Sequence, residues 1–206
     1  MDPLSLFALS LGAGWASGLN LYAAVLTLGL LQDMGVVALP PDLQVLGSPV
    51  VLVVAGGLYA LEFFADKVPG VSTAWDAVHT FIRVPAGALL AAASMAHVGP
   101  DWALAAALLG GMLAAGTHAA KFGGRAGLAI LPLPFAAWVA SLGEDAAVAV
   151  GLWLAISHPV IFLGLLALFV AFLVWLLPRL FRGARAVLRS IGRGLGLTPP
   201  RPTGRS

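Results

Sequence analysis

Residues 58–70 read LYALEFFADKVPG and close an apolar run that begins at Pro49. Glu62 and Asp66 stand four apart, so a helix sets them on one face, a single turn from each other. An ionised carboxylate in hydrocarbon costs about 2.5–3.5 kcal/mol on insertion scales, so such groups are paired, neutralised or turned to a wet cavity. Asp66 precedes Lys67 and is expected at the water line, with Glu62 one turn deeper. The rest of the chain decides whether this run lies in a membrane.

Sixty per cent of the 206 residues are hydrophobic and ten per cent charged, where soluble domains carry about a quarter charged. Mean hydropathy is +0.99. A globule of this size has too little interior to hide so much apolar surface, so lipid must solvate most of it. Cysteine is absent, which excludes disulfides, thiolate metal sites and thiol nucleophiles. Six segments read as membrane spans, at about 4–31, 49–66, 84–99, 102–121, 131–156 and 159–178. Pro40-Pro41, Pro69-Gly70, Gly99-Pro100 and Pro159 fall in the gaps between them, where helix breakers belong. The opening MDPLSLFALS lacks a basic region and a small-residue cleavage site, so it reads as the first span rather than a removable signal.

Six spans leave both termini on one face. All eleven Lys and Arg then gather there: Lys67 and Arg83 in the second loop, Lys121 and Arg125 in the fourth, and seven arginines from Arg179 to Arg205. The other face keeps Asp33, Asp42 and Asp101. The positive-inside rule makes the basic face cytoplasmic, so the expectation is a bacterial inner-membrane protein with both ends inside. Residues 1–178 form the membrane domain and 179–206 a basic cytoplasmic tail, whose Arg182, Arg185, Arg189 and Arg193 suit an extension lying on anionic lipid. Nucleic acid is not an expected partner of an arm so close to a membrane. Residues 72–83, STAWDAVHTFIR, are expected as a short surface helix, with Thr73 and Asp76 at capping-box spacing and Trp75, Val78 and Ile82 on its membrane side.

Several polar residues interrupt the spans. Asn20, in GAGWASGLNLY, needs a partner in hydrocarbon. Gly14 and Gly18 beside it make a small-residue pair suited to close helix packing. Glu144 and Asp145 lie within the fifth span if that helix is continuous; a break at Gly143 would instead place Asp145 at a helix start. His118, Lys121 and Arg125 stack along one helix and are positioned to meet a carboxylate such as Glu62, or an anionic lipid phosphate. As a metal site they are poor, because no second histidine lies four residues away. His79, His97 and His158 read as interface residues. No nucleotide-binding loop, nucleophile elbow or zinc-protease motif occurs, so neither an enzyme nor a cofactor is expected. ASGLNLYA (16–23) and AAGTHAAK (114–121) align with Asn20 opposite His118, and LEFFADK with LGEDAAV, which reads as a 3+3 inverted repeat of the kind found in secondary transporters.

Taken together, SGLNLYAAVLTLGLL (17–31), LEFFADKVPGVSTAWDAVHTFIRVPAGALLA (61–91) and LAAGTHAAKFGGRAG (113–127) resemble a bacterial membrane family known as domain of unknown function 4126. The resemblance implies an integral membrane domain, carries no activity, and draws attention to Glu62, Asp66 and Lys67. The expected function is a small secondary transporter or channel-like protein, working as a homodimer on an unidentified solute or ion. Its pathway is expected to be lined by Asn20, Glu62, Asp66, His118, Glu144 and Asp145. The rival expectation is a non-transporting protein that holds lipid head groups, or scaffolds a partner, through Lys67, Lys121 and Arg125.

Overall fold

The computed structural model describes residues 1–66, 71–128 and 136–194; Lys67 and the tail beyond Gly194 lie outside the described residues, as do the side chains of Thr73, Asp76, Arg185, Arg189 and Arg193. Within them the protein is all helix: α1 (Pro3–Asp33), a 3-10 helix (Pro41–Gly47), α2 (Pro49–Ala65), α3 (Val71–Met95), α4 (Pro100–Leu128), α5 (Ala136–Ser157) and α6 (Pro159–Gly194). Five helices are long and apolar enough to cross a membrane, and the 3-10 helix with α2, bent 67° to each other, makes a sixth if counted as one span.

The starts of these helices are local chemistry. Pro3, Pro49, Pro100 and Pro159 each open a helix, where a missing N–H costs nothing. Asp2 caps α1 by accepting from the Leu4 and Ser5 amides, both at 3.0 Å. The Ser5 hydroxyl also donates to Asp2 at 2.6 Å and holds that carboxyl below its usual range. Gly99, at φ 154°, supplies the backbone conformation that turns the chain into α4.

α1 is the central helix and touches all the others. Its glycines set how closely they approach. A Cβ on Gly14 would lie 2.5 Å from the Gly110 Cα, and one on Gly18 would lie 2.5 Å from the Ala114 carbonyl oxygen. Gly87 of α3 meets Ala114 of α4 in the same way. Small residues thus bring α1, α3 and α4 into backbone contact, the packing mode available where lipid gives no hydrophobic drive. Gly56 and Gly57 have nothing within 4 Å, so within this chain they serve no such approach.

The contacts also fix helix direction. Ser10 donates to the Ala91 carbonyl, Ser17 to the Arg83 carbonyl, and Tyr22 meets His79, so α3 runs antiparallel to α1. Gly14 with Gly110 and Gly18 with Ala114 make α4 parallel to α1. Asn20 with Asp145 and Trp15 with Gly151 make α5 antiparallel, and Gly12 with Phe162, then Gly116 with Leu173, make α6 parallel. Inverted halves would set α1 and α4 in opposite directions; they run the same way. The end of α1 and the start of α3 share one end of the bundle, and the bent pair between them leaves and returns there. As a result Pro3 and Arg179 sit at opposite ends, which corrects the expectation of both termini on one face. That expectation took α2 as a complete crossing.

A second correction concerns residues 72–83. They are not a separate surface helix but the first half of α3, which begins at Val71, ahead of the expected cap at Thr73, and runs through Pro85 to Met95. Val78 and Ile82 do face outward. Arg83 and His79, however, turn inward and are 0% and 4% exposed. Elsewhere the outer surface is apolar, with Val50, Val53, Phe64, Phe81, Leu108 and Leu168 all exposed. This surface needs hydrocarbon around it.

Candidate functional site: charges at an opened turn of the first helix

α1 is interrupted at Asn20, whose φ of −150° and ψ of 103° are extended rather than helical. In an unbroken helix the Ala23 amide would donate to the Leu19 carbonyl. Here it donates to the Asn20 side-chain oxygen at 2.9 Å, and Asn20 acts as an N-cap inside the helix. The Leu19 carbonyl is thereby released, and Lys121 Nζ of α4 donates to it at 2.7 Å. At 1.5 Å per residue the opened turn lies about 25 Å from Pro3 and about 20 Å from Asp33, near neither end of the helix. Interrupted backbone at such depth is tolerated only where protein or a polar cavity receives it.

Four carboxylates converge on this turn. Asp145 accepts from the Asn20 amide at 2.9 Å and from the Tyr59 hydroxyl at 2.8 Å. Glu144 lies 2.9 Å from Lys121 Nζ and 2.9 Å from an Arg125 nitrogen. Asp66 accepts a two-pronged contact from Arg125 at 2.7 and 2.6 Å, the geometry a guanidinium is shaped for. Glu62 pairs with Arg83, and Lys121 stands 3.7 Å from it and 3.8 Å from Asp66. α5 is continuous from Ala136 to Ser157, so of the two arrangements open for Glu144-Asp145 the charged mid-helix one is found. Asp66 is not at the water line, because Arg125 draws it into the cluster and leaves it 5% exposed.

A histidine joins the pairs. Arg83 Nη1 lies 3.0 Å from His118 Nδ1 and Thr80 Oγ1 lies 2.7 Å from His118 Nε2. A guanidinium only donates, so Nδ1 accepts and the ring proton sits on Nε2, donating to Thr80. A parallel relay ties α1 to α3: His79 Nδ1 is 2.9 Å from the Trp75 carbonyl, and Tyr22 reaches Nε2 at 3.1 Å.

The side chains of Glu62, Arg83 and Lys121 are fully buried, whereas those of Arg125 and Glu144 are 17% and 16% exposed. The cluster therefore meets its surroundings along the Arg125–Glu144 rim. Glu62, Asp66, Glu144 and Asp145 against Arg83, Lys121 and Arg125 leave one net negative charge among these groups when the histidines are neutral. No group of three or more metal-ligating side chains occurs among the described residues.

Sequence reasoning named Asn20, Glu62, Asp66, His118, Glu144, Asp145, Lys121 and Arg125, and the structure brings all eight into one cluster. It missed Arg83, Tyr59, Tyr22 and His79. Arg83 was readable: it stands in TFIRVPAG, a lone charge in an apolar stretch, and Glu62 needed a partner of opposite sign. The tyrosines gave no such signal.

The cap at Asn20 is open to a stability test. Asn20→Ala is expected to lower unfolding free energy by about 0.5–2 kcal/mol, and Asn20→Ser to recover much of that by keeping a capping oxygen. Equal losses in thermal unfolding of the two variants would mean that the cap is not what the side chain supplies.

Comparison with known proteins places this architecture in a family. A sequence model described as "Domain of unknown function (DUF4126)" matches residues 7–179, and the chain belongs to that family. No curated protein and no solved structure matches it.

Proposed function

We propose that this DUF4126 membrane protein is a small secondary transporter or channel-like protein whose solute or ion pathway passes the charged cluster. The observation that carries the reading is the coincidence of the opened turn at Asn20 with the buried charges. Discontinuous helices with polar side chains at their break are how many transporters build a midplane site. A bundle that only had to span lipid gains nothing from either feature, since replacing buried ion pairs by apolar residues is often neutral or stabilising. The bent 3-10 helix and α2, entering and leaving at one end, add a segment able to move without unthreading a span.

The orientation follows the basic end. Arg125 and Arg179 lie at the end where α4 and α6 finish, and the opposite end carries Asp2 and Asp101 with no Lys or Arg. The positive-inside rule assigns the basic end to the cytoplasm of a bacterial inner membrane, which leaves the N-terminus outside. A homodimer remains part of this reading, with the apolar outward face of α2, Val50, Val53, Leu61 and Phe64, as its contact. The lipid head-group alternative loses support at two of its three cations, because Lys121 and Arg125 already hold carboxylates.

The test is flux. In proteoliposomes with an imposed pH gradient and a trapped pH dye, the wild-type protein is expected to collapse the gradient well above the rate of empty vesicles. Glu62→Gln, which keeps an acceptor for Arg83 while removing the charge, is expected to reduce that excess at least tenfold per folded protein. Wild-type rates in Glu62→Gln would remove the cluster from the pathway. No excess over empty vesicles would remove proton movement from the proposal.

A further inference from the structure

Asp145 is the one carboxylate of the cluster that faces no Lys or Arg among the described residues. Glu62 pairs with Arg83, Asp66 with Arg125, and Glu144 with both Lys121 and Arg125. Asp145 is held by two neutral donors instead, the Asn20 amide at 2.9 Å and the Tyr59 hydroxyl at 2.8 Å. At 1.5 Å per residue it stands about 14 Å along α5 from Ala136 and about 18 Å from Ser157, so a side chain this short reaches neither end. Four carboxylates against three cations leave one negative charge, and the pairing puts it on Asp145. A single proton brings the sum to zero.

We infer that Asp145 is the proton-binding group of the cluster, and that the ion handled at the opened turn is a proton. As a coupling step this rests on the transport reading above; as a protonation site it does not. The neighbours suit both states of the carboxyl. A hydroxyl donates and accepts, whereas an amide nitrogen only donates. With Asp145 ionised, Asn20 donates to Oδ1 and Tyr59 to Oδ2. A proton taken from water forms an O–H bond at Oδ2; Tyr59 offers it a lone pair and keeps its own proton, and the Asn20 bond at Oδ1 is untouched. Release to water reverses the step, with no other covalent bond made or broken. The other three acids lack this freedom, because a proton on any of them would set a cation of the cluster against a neutral group.

Around Asp145, α1 presents Asn20, and α2 presents Tyr59 with Glu62 and Asp66 one and two turns on. α4 presents Lys121 and Arg125, and α5 itself carries Glu144, which holds both. Arg179 and Arg182 of α6 are exposed and donate to carbonyls of their own helix.

A second, independent feature marks the turn as a place that a ligand visits. Thr117 of α4 lies one turn before Lys121, with its Cβ 2.7 Å from where a Cβ on Gly18 would stand. Its hydroxyl is fully buried and has no hydrogen-bond partner among the described residues. Buried hydroxyls are ordinarily satisfied, so this one is left to serve what passes. It sits toward the Pro3 end of the opened turn, and the Arg125–Glu144 rim sits toward the other. The charge count also bears on Glu62→Gln: that variant reaches zero without a proton, so taking one would leave a positive charge in the bilayer, and its expected loss of flux follows.

The test reads protonation directly, on the wild-type protein in lipid bilayers. Asn20 is the sole asparagine, and Glu62 and Glu144 are the two glutamates. Side-chain-amide-labelled asparagine therefore picks out Asp145 among carboxyl-labelled aspartates by contact, and carboxyl-labelled glutamate reports the two paired acids alone. As the pH is lowered, solid-state magnetic resonance is expected to show Asp145 change from carboxylate to carboxylic acid before either glutamate. A glutamate that changes first, an Asp145 signal that changes together with the glutamates, or one that answers to sodium at constant pH instead of to protons would overturn the inference. In the flux assay Asp145→Asn is expected to fall, per folded protein, to the rate of empty vesicles. Wild-type flux in Asp145→Asn would overturn the inference and leave the transport reading standing. Asp145 protonating first in a wild-type protein that shows no flux above empty vesicles would support the protonation site and remove the transport reading.

Discussion

Arg83→Met is expected to lower the unfolding free energy by about 3–5 kcal/mol, the range for breaking a buried ion pair on one side. Both side chains of the Arg83–Glu62 pair are fully buried, so the remaining carboxylate has no water to turn to. Lys121, 3.7 Å from Glu62, is already held by Glu144 and the Leu19 carbonyl and compensates only in part. His118 loses its donor in the same step. The double variant Glu62→Met with Arg83→Met removes both charges and is expected to recover most of the loss in denaturant or thermal unfolding. Recovery combined with lost flux would mean that the pair serves the pathway rather than the fold. A double variant as unstable as Arg83→Met alone would show that the guanidinium stabilises the bundle through something other than Glu62.

The second large effect is steric. Gly14→Ala places a methyl group 2.5 Å from the Gly110 Cα and 2.7 Å from its carbonyl oxygen. Both are backbone atoms, so relief requires α1 and α4 to separate. Overpacking of this kind costs about 1–3 kcal/mol, occasionally more, and separation would also pull Lys121 from the Leu19 carbonyl. Gly56→Ala makes the same chemical change where nothing lies within 4 Å, and helix propensity predicts a gain of up to about 1 kcal/mol. Thermal unfolding of the two variants side by side checks the contrast. A loss at Gly56 would point to close contact with a second copy of the chain on the α2 face.

Much of this was legible in the sequence. Mean hydropathy and the proline punctuation gave the all-helical membrane class, because lipid permits so few backbone solutions. Asn20, Glu62, Asp66, His118, Lys121, Arg125, Glu144 and Asp145 stood out because polar groups in an apolar run must find partners. What was hidden is which partners. Arg83 read as a loop charge because the two turns before it, with Trp75, Val78 and Ile82 on one face, have the pattern of an interfacial helix. The burial of Arg83 depends on Glu62 arriving from α2, and that is a tertiary fact. The opened turn was hidden too: no proline stands beside Asn20, Gly14 and Gly18 read as packing positions, and only the exchange of the Asn20 side chain for the Leu19 carbonyl opens the helix. The direction of the bundle was misread for one reason. α2 is as apolar as a spanning helix, and composition does not distinguish a segment that crosses from one that turns back.

The most direct measurement is made on the opened turn itself. Asn20 is the sole asparagine and Lys67 and Lys121 the two lysines, so carbonyl-labelled leucine with amide-labelled asparagine marks the single Leu19–Asn20 bond, and ammonium-labelled lysine marks its visitor. Solid-state magnetic resonance in lipid bilayers is predicted to find a lysine nitrogen within about 4 Å of the Leu19 carbonyl carbon, as the 2.7 Å contact to its oxygen requires. A carbonyl with no lysine nitrogen near it, bonded instead to the Ala23 amide as in an unbroken helix, would contradict the account.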